Sequence, residues 1–270
     1  MNNYLIASTG TKLDKEIITG LKNWFLSYVN KFTYTDSESQ RNIDLKLEHT
    51  ERVTREIILI GKQIGLNGNE LDLAEIIALF HDIGRFEQYD KYRTFSDRKS
   101  ENHAELGIKV LKKYNVLANL DKKVQGLISY SIRYHNRASL PTGKMRKYLF
   151  YLKLLRDADK LDIWKVVTDY YHRKSGDKNV TLELELPDTP GISSEVYDTL
   201  MNRKIVDMKF VRNINDIKLL QAGWIYDINF KPTLKAVRNR RYMELLRDAL
   251  PKTDKISEIF NLINSFEKTF

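Results

Sequence analysis

The sequence predicts an all-α protein, and three observations carry that expectation. Apolar residues recur at mixed three- and four-residue intervals along most of the chain, which is the helical period. Breaks in that pattern coincide with helix-stopping residues: Gly65, Gly68 and Gly84, then Pro187, Pro190, Pro232 and Pro251. Only one stretch, 180–191, shows the two-residue alternation of a strand.

Taken in order, Ile17, Ile18, Leu21, Trp24, Phe25 and Val29 give a first helix over 15–32, interrupted by the polar stretch at 35–40. A second helix over 44–65 carries Val53, Ile57, Ile60 and Ile64 on one face. Gly65 and Gly68 stop it, and Asn69 is placed to cap the next. That next segment, 71–84, is apolar nearly all round and reads as a buried central helix ended by Gly84. Residues 85–101 show no period and read as a long loop. Asn102 with Glu105 caps a helix to 114, and Asp121 starts another to about 135. A loop over 137–144 precedes a long helix, 146–173, which ends near 175–179. Leu182, Leu184 and Leu186 alternate along a short strand or extended arm, and further helices follow near 194–204, 214–226, 232–248 and 253–268. The expected organisation is a helical core over 1–178 and a helical C-terminal extension over 180–270, a lid or a homodimer surface.

Composition narrows the function. With 42% hydrophobic and 30% charged residues the chain is globular rather than disordered. It has no cysteine, which excludes disulfides and thiolate metal sites, so any metal is held by His, Asp and Glu. The longest apolar run, Ile76 to Phe80, is far too short for a bilayer, and the N-terminal segment lacks a signal-peptide pattern; the cytoplasm is the expected location. A net charge of +9 steers phosphorylated substrates, although a lysine-rich solvated surface explains it as well. No basic block interleaved with aromatics promotes nucleic acid as a partner.

Of five histidines, four fall on separate helices or helix ends. His49 shares the apolar face of Val53 and Ile57, His81 sits with Asp82 near the end of the buried helix, and His103 opens the helix that Asn102 caps. His135 follows Val124, Ile128 and Ile132, while Asp157 continues the face of Phe150, Leu154 and Leu161. A lone histidine on an apolar face is usually a satisfied core residue, and Asp157 can pair with Arg156. A set of inward polar groups is harder to explain by packing, because an unpaired buried charge costs several kcal/mol. A divalent cation bound by imidazole and carboxylate (Mn, Fe, Zn, Co or Ni) removes that cost.

In this order, His49 within LEHTERV, His81-Asp82 within FHDIGRF, and Asp157 within RDADKLD resemble the signature of HD-domain metal-dependent phosphohydrolases over about 43–170. His103 and His135 resemble the extra histidines of the two-metal members. By that resemblance His49, His81, Asp82 and Asp157 hold one cation, and Asp82 bridges to a second completed by His103 and His135. In the one-cation alternative His103 and His135 bind substrate phosphate. The implied activity is hydrolysis of a small phosphorylated substrate, a nucleotide first among them, through a metal-activated hydroxide.

Arg85 stands where related motifs carry Lys, and it either clamps a phosphate or caps a helix C-terminus. Lys160 and Arg133 are further candidates for phosphate contact, though solvated surface is the commoner fate of such residues; His172 reads as surface, and Arg238, Arg240 and Arg241 as facing either solvent or the cleft. The Gly-Tyr-Pro element of cyclic-dinucleotide phosphodiesterases is missing after His135, which argues against that substrate. Phe86, Tyr89, Tyr92 and Phe95 can stack a base, though packing is the commoner fate of such residues. Two other readings share the ligand set: an HD-fold di-iron oxygenase similar to inositol oxygenase, and a regulatory module that binds without turnover.

Overall fold

The computed structural model describes residues 13–141, 143, 145–173 and 180–269. The N-terminal segment 1–12 and the helix break expected at 175–179 lie outside the described residues. The described residues form helices and no strand, as the periodicity predicts. The chain divides into two compact units, Met1–Ala158 and Asp159–Phe270.

The first unit opens with α1 (Lys15–Val29), capped by Asp14, and α2 (Ser37–Gln63), capped by Asp36, whose side chain accepts from the Ser39 amide at 2.7 Å. The polar stretch at 35–40 therefore starts α2 rather than merely interrupting α1, because Asp36 satisfies an otherwise orphan amide. A capping box between Asn67 and Glu70 begins α3 (Gly68–Phe80), so Asn67 and not Asn69 is the cap. α3 is the buried centre: Ala74, Ile76, Ile77, Ala78 and Phe80 have no exposed surface, and the helix packs against α1 and α2. Burial of an Ile or Phe side chain contributes roughly 1.5–3 kcal/mol, which makes α3 a fixed platform for the His81–Ile83 turn at its C-terminal end.

The largest difference from the sequence expectation lies at 84–92. Gly84 does not stop α3; it begins another helix, α4 (Gly84–Tyr92). The true break comes earlier, at His81–Ile83. Gly84 is there for space, since a Cβ on it would stand 2.2 Å from the His103 carbonyl oxygen and 2.5 Å from the Gly107 amide nitrogen. α4 thus lies directly on α5 (His103–Lys113). The loop shrinks to 93–102, entered through Arg93 in the left-handed conformation with φ 53°. Gln88 staples that loop from a fully buried position, donating to Asp97 Oδ1, Ser100 Oγ and the Glu101 carbonyl.

Asn102 caps α5 through the Glu105 amide and Asp121 caps α6 (Lys122–Tyr134), both as expected, and α7 spans Arg146–Tyr171. α6 packs on both α5 and α3. Phe86 stacks edge-on against Phe25, and Tyr89 packs against Phe95 with ring centroids 5.0 Å apart. These rings serve packing, and only Tyr92 of the four is largely exposed.

In the second unit the alternating stretch is not a strand. Val180–Glu183 form the one-turn α8, and Leu184 and Glu185 both adopt positive φ, which no extended strand contains. There follow α9 (Ser194–Met201), α10 (Ile214–Gly223) continued as a 3-10 turn to Asp227, α11 (Lys231–Asn239), α12 (Tyr242–Asp248) and α13 (Asp254–Thr269). The helix expected over 232–248 is broken at Arg241, whose φ is 55°. Lys160 is not surface: it is buried and paired with Asp227 at 2.6 Å. His172 is exposed and bonds the Leu245 carbonyl, Arg238 and Arg241 are exposed, and Arg240 is half-buried. Among the described residues no helix is long and apolar enough to cross a membrane.

Candidate metal centre

The first unit brings together four histidines and one aspartate, His49 from within α2 and the others from helix ends and the turn between α3 and α4. His49 lies on the buried face of α2 above Val53 and Ile57. His81 is the C-terminal cap of α3, and Asp82 sits in the turn into α4, held by the Arg85 amide on the Asp82 carbonyl at 2.8 Å. His103 is the first residue of α5 and His135 the cap that ends α6. All five side chains are buried.

Hydrogen bonds fix the rings. His81 Nδ1 lies 2.7 Å from the Ala78 carbonyl and His135 Nδ1 2.7 Å from the Ile132 carbonyl. A carbonyl only accepts, so each Nδ1 carries the proton and each Nε2 presents a lone pair. His103 Nδ1 faces both oxygens of Asp97, at 2.9 and 2.8 Å, and its Nε2 is turned to the same side as that of His135. Burial pushes the His103 imidazole down to about 3, helped by the Arg85 charge and opposed by Asp97, so the ring is neutral at neutral pH.

The Nε2 atoms meet in pairs, His49 with His81 at 3.2 Å and His103 with His135 at 3.1 Å. Asp82 stands between the pairs. Its Oδ2 is 3.6 Å from His49 Nε2 and 3.9 Å from His81 Nε2. Its Oδ1 is 3.3 Å from His103 Nε2 and 3.7 Å from His135 Nε2. Two groups result, His49–His81–Asp82 and Asp82–His103–His135, each with ligand atoms within 4.8 Å of one another, and each able to hold a metal ion. The donor chemistry fits a divalent cation. Ligands about 2.1 Å from a shared ion stand roughly 3.0–3.4 Å apart, which is the separation of each Nε2 pair.

The electrostatics are unusual for so buried a carboxylate. Burial pushes the Asp82 carboxyl up, but the Lys46 ammonium, with the Arg85 guanidinium beside it, overrides that and holds it well below the carboxylate range. Lys46 Nζ is 3.0 Å from Asp82 Oδ2 and lies over the Phe95 ring. Lys46 carries no signal of its own in the sequence, although it shares the His49 face one turn earlier on α2.

Asp157 is fully buried on α7 but, among the described residues, belongs to neither of these two groups. Arg85 lies in the first turn of α4, so it cannot cap a helix C-terminus; that alternative fails because Gly84 starts the helix. Its Nη1 instead donates to Gln88 Oε1, the Phe95 carbonyl and Asp97 Oδ1, while its buried Nε, 3.6 Å from Asp82 Oδ1, makes no hydrogen bond. Arg133 pairs with Glu105 at the surface. Two more residues carried no sequence signal. Arg156 is buried and donates to the carbonyls of His135 and Arg137, fixing the end of α6, and Asp97 supports His103 from the 93–102 loop.

The depressed His103 value gives a first expectation for the metal-free protein. Unfolded His103 takes up a proton below about pH 6.5, whereas the folded ring stays neutral down to about 3. Its contribution to stability is therefore complete above pH 6.5 and drains away as pH falls through that window. At about 1.4 kcal/mol per unit, urea unfolding at pH 5 should show about 2 kcal/mol less stability than at pH 7. A flat profile between those values would contradict a neutral buried His103.

Residues 47–164 match the family model described as HD domain. Comparison with curated proteins and with solved structures gives no significant match. The matched segment is the one that carries these histidines and Asp82, consistent with the HD-domain superfamily.

Proposed function

We propose that the protein is a metal-dependent phosphohydrolase that acts on a nucleotide or another small phosphoester. The observation that carries the reading is the pairing of imidazole Nε2 atoms across one carboxylate, His49 with His81 and His103 with His135 on the two oxygens of Asp82. His49, His81 and Asp82 hold one cation and Asp82, His103 and His135 a second. Divalent cations bound there supply a nucleophile from water at neutral pH and neutralise charge developing on phosphoryl oxygens.

The protein's own residues do the rest. Asp82 stays ionised and so keeps one oxygen for each histidine pair. The Nδ1 bonds of His81, His103 and His135 orient the rings and keep the Nε2 atoms aimed inward. Lys46 Nζ stands 3.0 Å from Asp82 Oδ2, and with Asp82 shared with metal its ammonium would be placed to pair with a phosphoryl oxygen. Arg85 has a different part. With Nη1 engaged by three acceptors it braces the 93–102 loop rather than clamping substrate.

The signature assigns one further ligand, a carboxylate on α7. Asp157 is the signature residue, and Asp157→Asn should lower bound metal; undiminished metal in that variant would remove it from the ligand set.

The test of the reading is metal analysis of the purified protein, followed by a screen of nucleotides and common phosphoesters with Mn or Zn under strict anaerobiosis. Phosphate release without oxygen is expected. Oxygen uptake by iron-loaded protein with no phosphate release would sink the proposal.

A further inference from the structure

The three hydrogen-bonded histidines are not held alike. His81 and His135 rest their Nδ1–H groups on neutral backbone carbonyls three residues earlier in their own helices. His103 has no preceding turn to use, because it is the first residue of α5. Its Nδ1 lies instead against both oxygens of Asp97, an ionised group on a different segment.

Asp97 is in turn tightly placed. Its Oδ1 accepts from Arg85 Nη1 at 3.1 Å, from Gln88 Nε2 at 2.9 Å and from the His103 amide at 3.4 Å. Its Oδ2 accepts from Asn136 Nδ2 at 3.3 Å. Asn136 directly follows His135, so one carboxylate reaches the second imidazole of the same pair through its neighbour. None of these donors belongs to the His49–His81 pair.

We infer that Asp97 is a positioning residue specific to the His103–His135 half of the centre: it fixes the His103 tautomer and ring orientation, and tightens the cation held with Asp82 Oδ1 while leaving the His49–His81 half unaffected. This rests on the two-cation reading above. A carboxylate behind a ligating imidazole orients the ring and raises its basicity, and losing such a partner typically costs about 10–100-fold in metal affinity. A backbone carbonyl orients equally well but carries no full charge, so the two halves differ in how their ligands are supported.

Asp97→Asn keeps the shape and an acceptor oxygen and removes the charge. The probe is Mn(II) alone, titrated into metal-free full-length protein by calorimetry. The wild type should bind two ions, and D97N should bind one of them with unchanged affinity and the other about 10–100-fold more weakly. His103→Ala should lose that same ion, and the D97N/H103A double variant should lose nothing further, which a general structural defect would not reproduce. In the metal-free proteins, nitrogen NMR of the imidazoles should show His103 as a single Nδ1–H tautomer in the wild type and as a mixture in D97N.

Two wild-type ions with both affinities unchanged in D97N would overturn the role of Asp97 and leave the centre standing. Equal weakening of both ions would overturn its specificity. A wild type that binds no Mn(II) would overturn the centre itself. If D97N does not fold, Asn136→Ala serves instead, since it removes a donor to Oδ2 and spares the carboxylate; the same single ion should weaken, and no change in either ion would count against the inference.

Discussion

Asp82→Ala leaves the purified protein without bound metal and without turnover. The side chain faces both histidine pairs, Oδ2 towards His49 and His81 and Oδ1 towards His103 and His135. Truncation therefore removes a ligand atom from each position at once. It also strands cations, because Lys46 and Arg85 lose the carboxylate they approach at 3.0 and 3.6 Å and then repel an incoming metal. The effect on affinity should exceed the about 10–100-fold expected from losing a partner behind a ligand. Elemental analysis after purification and a phosphatase assay with added Mn check it. Asp82→Asn separates charge from shape: it keeps the side chain's volume, and a deficit as large as that of D82A assigns the loss to charge. Undiminished metal in either variant would contradict the site.

Much of this centre was legible because its ligands share helix faces with apolar residues. His49 precedes and His135 follows a run of inward positions, and Asn102 with Glu105 announced the helix that His103 opens. The supporting residues were not legible for a physical reason. Asp97 sits in a loop whose shape comes from side-chain bonds to Gln88 and Ser100, and such bonds leave no period in sequence. α4 was hidden in a similar way. Its buried positions are Gly84, Phe86, Gln88 and Tyr89, so a glycine and a glutamine occupy places where a periodicity argument looks for Leu or Val. Lys160 and Asp227 show the same limit in the second unit, since a buried pair reads as two surface charges until both partners are placed. The break at Arg241 had no glycine or proline to mark it.

Gly84→Ala is the second change of large effect, and it acts on the centre without touching a ligand. The glycine is helical, so its role is not a left-handed turn; the need is room for α5. An added Cβ would lie 2.2 Å from the His103 carbonyl oxygen, 2.5 Å from the Gly107 amide nitrogen and 3.1 Å from the Gly107 Cα. All three are backbone atoms of α5, which cannot rotate aside as a flexible side chain does, so either α4 or α5 must shift as a body. Destabilisation of about 3 kcal/mol or more is expected, and at about 2–4 °C per kcal/mol that is a fall of roughly 10 °C in Tm. Because the nearest clash is with the carbonyl of His103 itself, the ring moves with its helix, and the ion shared by His103, His135 and Asp82 should weaken more than the other. Gly20→Ala supplies the contrast: it lies in the exposed part of α1 with nothing within 4 Å of the new Cβ, and should gain about 0.5–1 kcal/mol from helix propensity. Thermal melts of both variants with Mn titrations decide the matter. A G84A protein with wild-type Tm and two ions bound at wild-type affinity would mean that α5 yields freely, and that the close approach of α4 to α5 does not set the position of His103.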